Sequence, residues 1–302
     1  AELRGLTVSE STVERTTVEV GLALAAANRA QAAPSKAGAA PATPESTDAP
    51  EPTRLYLAMD GTMCPLREGW RKDGTLGKLK CRYGETKVGM AFTTGQKEGL
   101  DMGVLTRGCV ATLGKIAPFT LLMLALARQW GAHRAAELIV LGDGAAWIWK
   151  LARKYFPQAV EIVDLWHVLE HLWEVAELRF GSRTSAAAKA WMATMRSLLE
   201  NDLVGSVICD LEGWQPKSAK QRKKRDKEVA FLRNNSERLK YKTFLAKGYL
   251  VGSGPIEARC KQVVQRRLHE GGMHWREQTA EAVLAIRAYL HGTHAGSLRA
   301  YA

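Results

Sequence analysis

The sequence predicts an α/β fold built on a mixed sheet, and three observations carry that reading. Two apolar runs of strand length each lead into an Asp followed by Gly: Leu55 to Met59 before Asp60-Gly61, and Leu138 to Leu141 before Gly142-Asp143-Gly144. Three strand-like segments precede the first helical pattern, after which strands and helices alternate. Beyond residue 183 strand character disappears.

In chain order, strands are expected at 54–60, 86–94, 104–112, 137–142 and 160–164, and helices at 115–130, 145–155 and 165–180. Three consecutive strands suit an antiparallel meander, and the later alternation suits parallel additions. This order is that of a ribonuclease H-like mixed sheet. Residues 183–248 read as an α-helical insertion between the second Asp and the Glu at 257. Within it, Ser185 to Leu199 has an amphipathic helical pattern, and the charge run Lys217 to Lys227 leads into a helix near 226–245. The rest of the sheet domain is residues 54–182 and 249–302, the last part holding helices at 255–268 and 275–291 joined by Glu270-Gly-Gly-Met-His274.

The N-terminal region differs. Residues 1–21 have the pattern of a partial helix-turn-helix: Leu6 and Val8 pack a turn, Ser9 caps a helix, and Val13 is its first core residue. A short amphipathic helix of no such function fits the same residues. Residues 22–53 are rich in Ala and Pro and read as a linker, its first stretch Leu22 to Ala32 being helical.

The chain has 302 residues, with 43 Lys+Arg against 31 Asp+Glu, a net charge of +12 and a pI near 9.6. Such a balance favours a polyanionic partner, nucleic acid above all. Its five cysteines include no Cys-x-x-Cys, so neither a zinc ribbon nor a redox pair is visible, and a reducing cytosol is the simpler compartment. No apolar run approaches membrane-spanning length, and the acidic N-terminus is not a signal peptide. The first residue is Ala1 rather than Met, so a longer native N-terminus is expected. Neither a Walker pattern nor Gly-x-Gly-x-x-Gly occurs, which leaves a nucleotide cofactor unsupported.

Three acidic residues stand out. Asp60 and Asp143 close buried strands, where α/β sheets bind ligands, and Glu257 opens a helix after Gly252-Ser-Gly-Pro255. Each alone is equally a turn or helix-start residue. Together, in a basic chain, they point to metal-ion chemistry on a polyanion.

At this point the residues resemble a known family. Leu57-Ala-Met-Asp-Gly-Thr62, Gly69-Trp70-Arg71, Leu141-Gly-Asp-Gly-Ala-Ala-Trp-Ile-Trp149, Ile162-Val-Asp-Leu-Trp-His167 with Glu170-His-Leu-Trp173, and Val251-Gly-Ser-Gly-Pro-Ile-Glu257 with Cys260-Lys261 resemble, in order, the bacterial ISKra-type insertion-sequence transposases of the DDE class. The resemblance implies a ribonuclease H-like core with Asp60, Asp143 and Glu257 as catalytic and metal-binding residues. It implies Mg2+ as cofactor, with Mn2+ able to substitute. Asp60 would bridge two ions, Asp143 and Glu257 holding one each. The implied partners are DNA, as terminal inverted repeats and target, and further copies of the chain, in a homodimer or larger assembly at the nucleoid.

Asp164 and His167 form a second layer in this reading, shaping the site or touching DNA; the alternative is a helix N-cap by Asp164. Phosphate contacts are expected from Arg259, Lys261, Arg266 and Arg267 beyond Glu257, and from Lys223, Lys224 and Arg225 in the basic run, which otherwise is a solvated face. Trp147, Trp149, Trp166 and Trp173 are expected mostly in the core, with one able to stack on a displaced base. Two other functions remain: a non-catalytic DNA-binding remnant of such an enzyme, and a zinc peptidase of inverted motif through His167-Val-Leu-Glu-His171.

Overall fold

The computed structural model describes residues 2–3, 6–7, 9–32, 53–70, 76–97, 100–269 and 272–292. In chain order these form β1 (Glu2–Leu3), β2 (Leu6–Thr7), α1 (Glu10–Ala32), β3 (Arg54–Trp70), β4 (Leu76–Lys97), β5 (Leu100–Leu113), α2 (Ile116–Gln129) and β6 (Glu137–Gly142). There follow α3 (Ala146–Tyr155), β7 (Val160–Val163), α4 (Leu165–Phe180), α5 (Ala186–Glu200), α6 (Val204–Gly213), α7 (Ala219–Asn235) and α8 (Tyr241–Ala246). The chain closes with α9 (Gly254–Arg259), a π-helical segment Cys260–His269, and α10 (Glu277–Leu290). Its contacts divide into two compact units, Ala1–Ile139 with Gly254–Ala302, and Val140–Ser253.

In the first unit β3, β4 and β5 form an antiparallel meander, as three consecutive strands suggested. Tyr56 pairs with Phe92 in register and their rings stack at 5.0 Å. The start of β6 lies beside the start of β3, where Glu137 N donates to Thr53 O at 3.0 Å and Arg54 meets the Glu137 carboxylate at 2.7 Å. Two strands that start side by side run parallel, so the sheet is mixed. In the second unit the ends of β6 and β7 are neighbours, Asp164 N donating to Gly142 O at 2.9 Å, with α3 as the crossover. The strand order is β5-β4-β3-β6-β7.

The strands are longer than the apolar runs indicated. Asp60 does not end β3: the strand continues to Trp70, with Asp60 opposite Val88 and Gly61 opposite Lys87. An Asp-Gly pair marks a turn only where no partner strand supplies hydrogen bonds, and here β4 supplies them. The basic run 217–227 lies mostly within α7 rather than ahead of a helix, because Ser218 and Gln221 close a capping box that starts the helix there. The segment after Glu257 is π-helical, and its freed carbonyls are taken by Arg287, whose Nε donates to Gln262 O at 3.1 Å and Val263 O at 2.9 Å.

Ser9 caps α1, accepting from Thr12 N at 3.2 Å. Val13 is exposed, however, and the buried face of the helix is Val20, Leu24 and Ala25, packed with Ala285, Ile286 and Tyr289 of α10. Residues 22–32 therefore continue a packed helix. Leu6 lies in the β1–β2 ribbon rather than in a turn between helices. Val8 and the linker positions 33–52 lie outside the described residues.

Gly21 sets the approach of α1 to α10. A Cβ there would collide with the Ala282 carbonyl, which is backbone and cannot swing aside. Glu281 of the same helix takes Thr112 Oγ1 and Leu113 N, each at 2.8 Å, fastening α10 to the end of β5. Gly21→Val is expected to destabilise the chain by about 2 kcal/mol or more. Gly205→Ala, at an open helical position, should be neutral or stabilising by up to about 1 kcal/mol. Urea unfolding of both variants checks this, and equal midpoints would refute the close packing.

Candidate carboxylate site

The first unit brings Asp60 and Glu257 into one neighbourhood. Asp60 is half-buried on β3, and both its oxygens are engaged: Gly61 N donates to Oδ1 at 2.6 Å and Cys260 Sγ to Oδ2 at 3.3 Å. Glu257 is exposed in the first turn of α9, three residues before Cys260. Cys260 is buried, and its thiol is pushed far above the ordinary range, first by burial, then by Asp60, with Cys109 and Glu257 adding to it. A thiol so placed stays protonated and serves as a donor to Asp60. Nothing in the sequence marks this role except its spacing of about one helical turn from Glu257.

Asp143 belongs to the second unit. It follows the last residue of β6 and accepts from Ala145 N at 2.8 Å, an Asx turn that leads into α3. Gly144 has φ +97°, a left-handed conformation open to glycine, and a Cβ there would also press on the Phe231 ring.

Asp164 is fully buried. Its Oδ1 accepts from Trp166 N at 2.5 Å and His167 N at 3.3 Å, the N-cap of α4. Its Oδ2 accepts from Ser253 N at 2.7 Å and from the Ser253 hydroxyl. Four donors on one carboxylate describe a structural clamp, and Ser253 is the half of it that sequence reading missed. Beside it Tyr241 donates from its hydroxyl to Val163 O at 3.0 Å, its phenol pushed up by burial and by Asp164.

His167 and His171 lie on one face of α4 with ring centroids 4.5 Å apart. His171 Nδ1 meets the buried Glu228 at 2.8 Å, Lys224 meets Glu228 at 2.8 Å, and Lys224 also pairs with Glu174. Burial alone would raise the Glu228 carboxyl, but hydrogen bonds from His171 and Lys224 outweigh it and hold the group below its ordinary value of 4.5. At Lys224 burial works the other way and is outweighed by the hydrogen bonds to Glu174 and Glu228, which raise the ammonium.

The basic residues divide. Lys261, Arg266, Arg267 and Lys223 are exposed, Arg267 standing 5.0 Å over the Trp275 ring. Lys224 is committed to its two carboxylates, and Arg225 donates to Trp214 O at 2.9 Å and pairs with Asp226. Arg259 is buried at 5% exposure and turns NH1 to His291 O at 3.2 Å, so its guanidinium does not face solvent. Of the tryptophans, Trp149 is core, with Arg238 4.8 Å over its ring, while Trp166 is 57% exposed.

Among the described residues, no three or more His, Cys, Asp or Glu side chains gather into a group able to hold a metal ion. No helix of the described chain is long and apolar enough to cross a membrane. No family model and no curated protein matches the chain. Among solved structures, the Drosophila P element transposase strand transfer complex matches with a TM-score of 0.26 and 9% identity, covering 82% of this chain and 67% of that one. A likeness that distant does not place the chain in a family.

Two outcomes test the local geometry. Asp164→Ala should lower stability by about 2–4 kcal/mol, since it removes a cap and leaves buried donors of residue 253 unpaired; thermal melts of Asp164→Ala and Ser253→Ala measure it. Glu228→Gln should lower Tm at neutral pH. Because the folded Glu228 pKa is depressed, its contribution is complete above the ordinary value and is lost as pH falls through the lower, folded value. The Tm gap between wild type and Glu228→Gln is therefore expected to close in acid, and a gap constant with pH would contradict the ionised network.

Proposed function

We propose that this chain is a DNA transposase acting through carboxylate-held Mg2+, cutting DNA at element ends and joining the freed strand to a target. The observation that carries the reading is the pairing of Asp60 and Glu257 around Cys260, two carboxylates far apart in sequence that share one neighbourhood. The ISKra-type motifs and the net charge of +12 support it.

The carboxylates suit the proposed ion by chemistry, being hard oxygen donors. Asp60, Asp143 and Glu257 would hold Mg2+, which when bound supplies Lewis acidity at phosphorus and a more acidic bound water. The chain's own residues do the rest. Cys260 and Gly61 N keep the Asp60 carboxylate in one orientation. The Ala145 N–H does the same for Asp143. Lys261, Arg266 and Arg267, exposed on the π-helical segment beyond Glu257, would neutralise backbone phosphates and fix the register of the duplex. The nucleophile is water for cleavage and a DNA 3′-hydroxyl for joining.

Asp143→Asn is expected to reduce divalent-metal-dependent cleavage and joining of DNA carrying the element's ends to background, with DNA binding retained. Gel assays of cleavage and a binding isotherm on the same DNA check it. Wild-type binding without cleavage in Mg2+ and Mn2+ would favour the non-catalytic remnant. Equal activity in the variant would remove Asp143 from the mechanism.

A further inference from the structure

Helices α4 and α5 of the second unit pack against one another and leave an open groove of about 540 Å3. Ligand sites are typically of that order, roughly 300–1,000 Å3. Trp166, Glu170 and Trp173 line it from one face of α4, and Lys189 and Arg196 from one face of α5. Leu169 and Met192, both buried, line it as well.

Trp166 is the feature that packing does not explain. It is 57% exposed, whereas Trp149 and Trp191 are buried. A large aromatic ring left in water forfeits the apolar burial that usually places it. The ring is nevertheless held. The Trp166 N–H donates to the buried Asp164 carboxylate at 2.5 Å, and Leu165 N donates to Val251 O at 3.0 Å. A Cβ at Gly252 would come within 3.3 Å of the Trp166 ring, so the indole lies along that loop. The Arg196 guanidinium stands 5.2 Å over it. A solvent-facing aromatic fixed in this way has lost its freedom on folding rather than on binding.

The charges around the ring are open to a ligand. Arg196 pairs with Glu200 one turn on, at 2.8 Å, an exposed helical pair of small strength. The Lys189 ammonium and the Glu170 carboxylate have no ion-pair partner among the described residues, and the indole N–H groups of Trp166 and Trp173 have no acceptor there. An apolar face of a protein partner would bury Lys189 and Arg196 without a counter-charge. A nucleotide would not, since its base is flat with a polar edge and its phosphates are anionic. The net charge of +12 favours the same partner.

We propose that this groove binds single-stranded nucleic acid, one unpaired base stacking on Trp166 while Lys189 and Arg196 hold the flanking phosphates. Glu170 accepts from the polar edge of the base. The site uses none of Asp60, Asp143 and Glu257, so it stands or fails apart from the transposase reading.

The probes are a short oligothymidylate and an abasic strand of the same length, so that charge is constant and only the bases differ. Fluorescence anisotropy of each labelled strand with the full chain measures affinity. The wild type is expected to prefer the base-bearing strand about fivefold or more, the size of one stacking contact. Trp166→Ala should abolish that preference and leave abasic binding unchanged, and Trp166→Phe should keep part of it. Lys189→Gln should weaken both strands and flatten the salt dependence. Circular dichroism establishes that each variant is folded. Should Trp166→Ala fail to fold, Ala193→Phe, at an exposed position that lines the groove, is expected to block it and abolish the preference in the same way. Equal affinity of the wild type for the two strands, or an unchanged preference in the folded variants, would overturn the proposal. Oligouridylate against its deoxy form separates the sources: tighter binding of the ribose strand assigns the groove to RNA, and tighter binding of the deoxy strand to DNA.

Discussion

The burial of β3 is the constraint from which the first unit follows. Leu55, Tyr56, Leu57, Ala58 and Met59 are all fully buried, so both faces of the strand and both its edges need partners. β4 takes one edge over most of its length and the start of β6 the other. On the neighbouring β4, α2 packs Phe119 and Met123 against Gly89. A strand that is apolar on both faces cannot sit at a sheet edge or face water, and this one property places the hairpin and the mixed pairing.

Several buried charges in the two units follow one rule. Lys87, at 2% exposure, is met by Glu85 at 2.8 Å and by Gly114 O. Glu228 is met by His171 and Lys224, and Asp164 by four donors. Each charge taken from water has recovered hydrogen bonds or a counter-charge inside.

The basic run shows how a charge pattern can mislead. Lys223, Lys224 and Arg225 are adjacent in sequence and read as one cationic patch. On a helix, consecutive residues point in different directions, and the three separate accordingly. Lys223 reaches solvent, Lys224 turns inward to Glu174 and Glu228, and Arg225 folds back to Trp214 and Asp226. Ion pairs with residues of other elements decide which charges remain for an external partner.

Periodicity by itself determined the kind and order of the elements, because backbone hydrogen bonding and alternating burial are local demands. β6 at 137–142 and α4 at 165–180 fall where the apolar spacing puts them, and a meander followed by α/β alternation is what the run lengths imply. The sequence also singled out Asp60, Asp143 and Glu257 as residues of interest. It was silent on what holds them. That β3 runs through Asp60 depends on a partner strand beginning before Thr86. That Cys260 donates to Asp60, that Ser253 closes the Asp164 clamp, and that Arg259 turns inward are contacts between residues remote in the chain. Such contacts leave no period and no spacing in a single sequence, because their partners are chosen by packing in three dimensions. Only the tertiary structure decides them.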